Sequence, residues 1–214
     1  MMARKPALNI LRPMPPPALL ESDLCRLVPA PEVAAWFREQ ILQDTGAIHN
    51  PDHLHLQDAD IQYLWASEGF TKQQRTVIGQ AEQVMFTGGG WKRARQEQQF
   101  KEWFGHVPDY LITLDASYCA SCGDAEFCAL VEHEHFHIAQ KVDDFGAPAF
   151  DKDGFPKLGI RGHDVEEFVG VVERYGAGAH DSAVNRMARA ANAQPLVSRA
   201  SIAASCGTCL RLVA

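Results

Sequence analysis

Val131-Glu132-His133-Glu134-His135-Phe136-His137 sets two histidines four residues apart, with a glutamate directly after the first. On a helix, residues four apart lie on one face a turn from each other, so His133 and His137 can reach a single metal ion. Glu134 is placed to act on a metal-bound water as general base. The flanking sequence agrees with a helix. Asp124 reads as an N-cap, Ala125 to Val131 is free of proline and glycine, and Phe127, Leu130, Val131, Glu134 and Ile138 recur at three- and four-residue steps. Gly146 and Pro148 are the breakers downstream, which predicts a helix from about 124 to about 144. His135 points away from the two ligands, toward a polar supporting or surface role.

Around this helix the chain reads as α+β. Tyr110 to Asp115 is rich in strand-favouring residues and feeds directly into the helix. Ile61 to Ala66 alternates as a strand, and Thr76 to Phe86 reads as a strand that curves at Gly79. Helices are predicted for Pro31 to Gln43, Ala94 to Gly105, His163 to Tyr175 with Asp164 as cap, and Ser182 to Ala193. The segment from 145 to 162 is a Gly-, Pro- and Asp-rich loop with a turn at Asp153-Gly154. Helices and strands do not alternate as βαβ units. The expected architecture is zincin-like: a small mixed or antiparallel sheet packed on the His-Glu-x-x-His helix, with further helices. In that arrangement the strand at Tyr110 to Asp115 holds an extended peptide.

Composition narrows the classes. The chain has 214 residues, 46% of them apolar, enough for one well-buried domain over 31–214. No apolar run is long enough to cross a membrane. Met1 to Leu20 carries five prolines, which breaks any signal-peptide core and predicts a disordered arm over 1–30 of a cytoplasmic protein in a bacterial host. The net charge of −7, with no basic block longer than Trp91 to Arg95, argues against nucleic acid and membrane surfaces as partners. Lys92 to Arg95 reads as a solvated helix start.

Six cysteines without a secretory leader read as reduced thiols or metal ligands. Cys119-Ala-Ser-Cys122 and Cys206-Gly-Thr-Cys209 have the pairing of a structural zinc site, although 83 residues separate them. The other reading is small apolar residues in packing, as for Cys25 and Cys128. His49, His53 and His55 share a loop marked by Asn50-Pro51-Asp52, with no spacing that aligns their rings with the His133 helix, and read as surface residues.

Catalytic zinc takes three protein ligands and leaves a position open. His163, 26 residues after His137, is the first candidate for the third ligand. Glu167 and Glu166 are rivals, and either could instead orient a ligand imidazole. Spacing does not separate these possibilities.

Phe127-Cys-Ala-Leu-Val-Glu-His-Glu with His137, and Arg161-Gly-His-Asp-Val-Glu-Glu-Phe-Val-Gly-Val-Val-Glu-Arg-Tyr-Gly176, resemble a phage metallopeptidase family found in phages and prophages. The resemblance runs from about Leu54 to the cysteine tail. Gly162-His163 with Phe168 is more distantly similar to SprT-like peptidases, where Gly-His followed by Phe supplies the third histidine. The inserted Asp-Val-Glu-Glu departs from that pattern and keeps Glu167 in play.

These residues imply a zinc-dependent endopeptidase: one catalytic Zn²⁺ on His133, His137 and His163 (or Glu167), and Glu134 moving the proton. Tyr175 and Arg161 are candidates for stabilising the oxyanion. Its substrate is a protein or peptide, and a second, structural Zn²⁺ at the cysteine pairs is the further possibility. The alternative function is a non-catalytic zinc-folded phage or prophage protein that binds a protein partner.

Overall fold

In the computed structural model, residues 10–21, 24–72, 75–165, 169–197 and 200 are described. In chain order these form α1 (Pro17–Leu20), β1 (Leu27–Pro29), α2 (Pro31–Phe37) with a π-helical turn at Arg38–Leu42, a 3-10 helix at Pro51–Leu56, β2 (Ile61–Ala66), β3 (Phe70–Lys72), β4 (Arg75–Val77) and β5 (Gly79–Gln83). They continue with α3 (Gly90–Phe104), β6 (Tyr110–Asp115), α4 (Ala116–Ser121), α5 (Asp124–Phe136), β7 (Ile138–Gln140), β8 (Leu158–Ile160), α6 (Val169–Tyr175) and α7 (Ala183–Asn192).

The main sheet has the order β1-β2-β6-β5 and is mixed: β2 and β6 run parallel, while β1 and β5 pair antiparallel at the edges. The register puts Tyr63, Ile112 and Ala81 in one row and Trp65, Leu114 and Gly79 in the next. Successive strand residues face opposite sides, so these rows share a face, and α5 packs against it. Phe127, Leu130 and Val131 of α5 are buried with Trp36 of α2 and Trp65 of β2. Trp36 meets Phe127 edge-on at 5.2 Å. Each of these large side chains contributes about 1.5–3 kcal/mol by burial.

The strand expected to hold a peptide, Tyr110 to Asp115, is β6. It lies inside the sheet with β2 and β5 bonded to its two sides, so no backbone groups remain for a peptide. The edges are β1 and β5, and β5 is the edge in contact with α5. The expected strand over 76–86 divides at Ile78 into β4, which pairs with β3, and β5, which pairs with β6.

The metal-motif helix is shorter than expected. It ends at Phe136, with His137 as a right-handed C-cap, rather than near 144. Arg161 ends it: its Nε donates to Phe136 O at 2.8 Å, and its backbone N–H donates to His137 O at 2.9 Å. Ile138–Gln140 then pairs with Leu158–Ile160, so the span from 145 to 162 is an ordered hairpin excursion rather than an irregular loop. Two similar turns shape it. Asp143 Oδ1 accepts from the N–H groups of Phe145 and Ala147, and Asp151 Oδ1 accepts from those of Asp153 and Phe155. Gly146 and Gly154 follow at matching places with φ of 80° and 87°, which L side chains rarely adopt.

Helix α6 starts at Val169, so His163 precedes it instead of opening it; residues 166–168, with Glu166 and Glu167, lie outside the described residues. The prolines of the first segment do not leave a loose arm over its described part. Ile10 and Leu19 are buried in the core, and Arg12 reaches the start of α5. Its guanidinium donates to Asp124 at 3.0 Å, to Cys122 O at 2.6 Å and to Cys119 O. Residues 1–9 lie outside the described residues. Replacing Arg12 by alanine leaves those acceptors without their cation and is expected to cost about 1–3 kcal/mol, read as a lower urea midpoint at an unchanged slope.

Candidate metal centre

Helix α5 is buried on nearly every side because it carries apolar residues around most of its girth: Phe127, Cys128, Leu130, Val131, Glu134 and His135 are all enclosed. The opening lies where His133 and His137 emerge. One turn apart, their Nε2 atoms stand 3.3 Å from each other. His163 arrives from the far end of the hairpin excursion and sets its Nε2 3.1 Å from that of His133. The ligand atoms of the three rings all lie within 4.8 Å of one another.

Protons alone do not account for this crowding. The Nδ1–H of His137 donates to Arg161 O at 2.8 Å, so its Nε2 carries the lone pair. A tetrahedral zinc with bonds of about 2.0–2.1 Å separates its nitrogen ligands by about 3.4 Å. The closer two of the separations here are near that value. Burial, then the neighbouring His137 and His163, pull the His133 imidazole down to about 4. Burial also lowers His137, partly offset by its bond to the Arg161 carbonyl. Neutral rings with converging lone pairs are the donor set a borderline cation takes, so the residues fit a zinc ion.

Glu134 is fully buried on the face of α5 toward β5. A Cβ at position 79 would lie 2.7 Å from its Oε1 and 2.8 Å from Leu130 Cδ1. Gly79 is therefore the residue that lets the edge strand approach the carboxylate. Nothing in the sequence around Gly79 marked that role, which depends on the register of β5 beside α5.

Other candidates sit as follows. Arg161 borders the imidazoles, with its guanidinium held by Phe136 O and by Asp164 at 2.9 Å. Tyr175 is exposed on α6 and does not line the cavity over the imidazoles. Cys119 is buried in the core and Cys122 is half-buried, with burial pushing both thiols up; Cys206 and Cys209 lie outside the described residues. Cys128 is buried as expected, but Cys25 is exposed.

The loop histidines are not surface residues. His53 is fully enclosed, His55 Nε2 donates to Ile138 O at 2.9 Å, and His49 Nδ1 donates to Ile41 O at 3.1 Å. Of the three, His53 lies against α5, beside Glu132, His135 and Phe136, and Asn50 also donates to Glu132 at 2.9 Å. His135 does point away from the metal side, yet into the core: it bonds Val131 O and the Tyr63 hydroxyl and stacks on Phe37. Its burial keeps the ring neutral.

A cavity of about 410 Å³ opens over the three imidazoles, walled by Phe136, Val165 and Met187. Met187 comes from α7, a helix the sequence predicts with Met187 on it, and no sequence pattern tied that residue to this site. Among the described residues no helix is long and apolar enough to cross a membrane.

A sequence model of the family described as "Putative phage metallopeptidase" matches residues 34–192. Comparison with curated proteins and with solved structures finds no match.

The unfolded chain protonates position 133 below its ordinary value of 6.5, while the folded chain resists this until about pH 4. The unfolded state thus binds the extra proton in that window, and stability rises with pH across it. Metal-free protein is expected to lose stability steadily as pH falls from about 6.5 to about 4. Urea midpoints measured across that range check this, and His133→Gln should make the fall shallower.

Proposed function

The chain belongs to the phage metallopeptidase family, whose name denotes metal-dependent hydrolysis of peptide bonds, and from that premise we propose that it is a zinc-dependent endopeptidase with Glu134 as general base. The observation that carries this reading is the convergence of His133, His137 and His163, two of them flanking a buried glutamate on one helix. A purely structural zinc takes four protein ligands and needs no base.

His133, His137 and His163 would hold the metal, and Glu167 is not needed to complete three ligands. Bound there, zinc would supply Lewis acidity, making a water acidic near neutral pH and polarising the scissile carbonyl. The Glu134 carboxylate would accept a proton from the attacking water and return it to the departing amine. The Arg161 carbonyl holds the His137 ring in the tautomer that presents Nε2. The substrate backbone lies along β5, an outer strand of the main sheet, which runs past Glu134 at Gly79. Arg161, beside the imidazoles, is the better placed of the two oxyanion candidates, and Tyr175 is set aside. We place the protein in the bacterial cytoplasm, as its composition suggests.

Elemental analysis should find one zinc per chain; a second would point to Cys119, Cys122, Cys206 and Cys209. Glu134→Gln should retain zinc and lose about 10²–10⁴-fold in peptide hydrolysis, whereas His163→Ala should lose zinc itself. Zinc-loaded wild type that cleaves no peptide in a diverse library would sink the enzyme reading and favour a zinc-folded binding protein.

Gly79→Ala tests the role of β5 separately. Its Cβ pushes the Glu134 carboxylate and Leu130 rather than backbone. We expect a fall of about tenfold or more in kcat, with zinc content unchanged and KM little altered.

A further inference from the structure

We infer that the cavity over the imidazoles is a pocket for one large apolar side chain, so the bond cut is flanked by leucine, methionine or phenylalanine. This rests on the peptidase reading above and specifies its substrate.

Among the described residues, the charged groups bordering the cavity, Arg161 and Asp164, already have partners. Arg161 donates to Phe136 O and pairs with Asp164, so its charge is matched within the wall. The three imidazoles are committed to the metal. Among the described residues, what remains toward the cavity is apolar: Phe136 at 38% exposure, Met187 at 52% and the half-buried Val165.

Helix α7 is built to present such a surface. Val184, Met187, Ala188 and Ala191 fall on one stripe, and Arg186 and Arg189 point the other way. No residue of α7 is buried, and Met187 is the member of the stripe that lines the cavity. The space is continuous with the metal centre, which makes its occupant a side chain adjoining the scissile bond. About 410 Å³ lies in the range of small-ligand sites and admits a large side chain. A methionine wall adapts to several apolar shapes, so the preference is for a class rather than for a single residue.

The test has two arms. In the first, zinc-loaded protein digests a peptide library varied on both sides of the cut, with sites mapped by mass spectrometry. Leucine, methionine or phenylalanine at one flanking position should give kcat/KM on the order of a hundredfold above aspartate. In the second arm, zinc-loaded Glu134→Gln protein is titrated with a leucine-containing peptide and its aspartate analogue. The leucine peptide should bind more tightly, and adding Met187→Asp should weaken it about tenfold at unchanged zinc content. Cleavage without apolar preference, or a leucine-to-aspartate binding ratio that Met187→Asp leaves unmoved, overturns the pocket. Absence of any cleavage in the first arm counts against the peptidase reading, while the binding arm still decides the pocket.

Discussion

A neutral imidazole offers a cation its unprotonated nitrogen, and a hydrogen bond at the other nitrogen fixes which one that is. For His137 the holder is the backbone of Arg161. The ring of His137 donates to the Arg161 carbonyl while the Arg161 N–H donates to the His137 carbonyl. This reciprocal pair joins two points 24 residues apart. It fixes the tautomer of one ligand, closes the end of α5, and delivers His163 two residues further on. The Arg161 side chain adds a third tie through Phe136 O. Without this junction the helix would run on toward the breakers at 146 and 148, and the third ring would have no fixed approach.

The second constraint is the depth at which α5 sits. A helix in the core cannot turn about its axis, because Phe127, Leu130 and Val131 are packed on one side and His135 is bonded and stacked on another. The direction of His133 and His137 is therefore set by packing. The same burial keeps their rings neutral. A feature that stabilises the fold thus also prepares the ligands, and Gly79 removes the side chain that would otherwise separate the sheet edge from Glu134.

Much of this was legible in the chain. The spacing of His133, Glu134 and His137 located the helix, and His163, one of the residues left open as a third ligand, is the one whose ring joins theirs. Short-range patterns also located β2, β6, α2 and α7. What they missed depends on contacts between distant segments. The end of α5 is set by Arg161, not by the nearest glycine. Tyr110 to Asp115 has the composition of any strand, and nothing local distinguishes a central strand from an edge. His53 and His55 looked polar and looped, yet a short 3-10 helix carries them, turning His53 onto α5 and His55 onto the Ile138 carbonyl. The prolines before Pro17 suggested looseness, although proline is equally compatible with a segment that crosses a surface and is pinned by one arginine. Met187 reaches the cavity from the far side of the excursion, and no periodicity encodes such a meeting.

The hairpin excursion between Ile138 and Ile160 leaves and re-enters the structure at the same bonded junction, and within it one turn design occurs twice, eight residues apart. Closing a flexible loop becomes harder only slowly with length, by about 0.6 kcal/mol per doubling. The distance between the second and third ligands along the chain is thus nearly uncoupled from their distance in space. Loop closure therefore sets little limit on adding or removing whole turn units in this segment while the three rings stay in place.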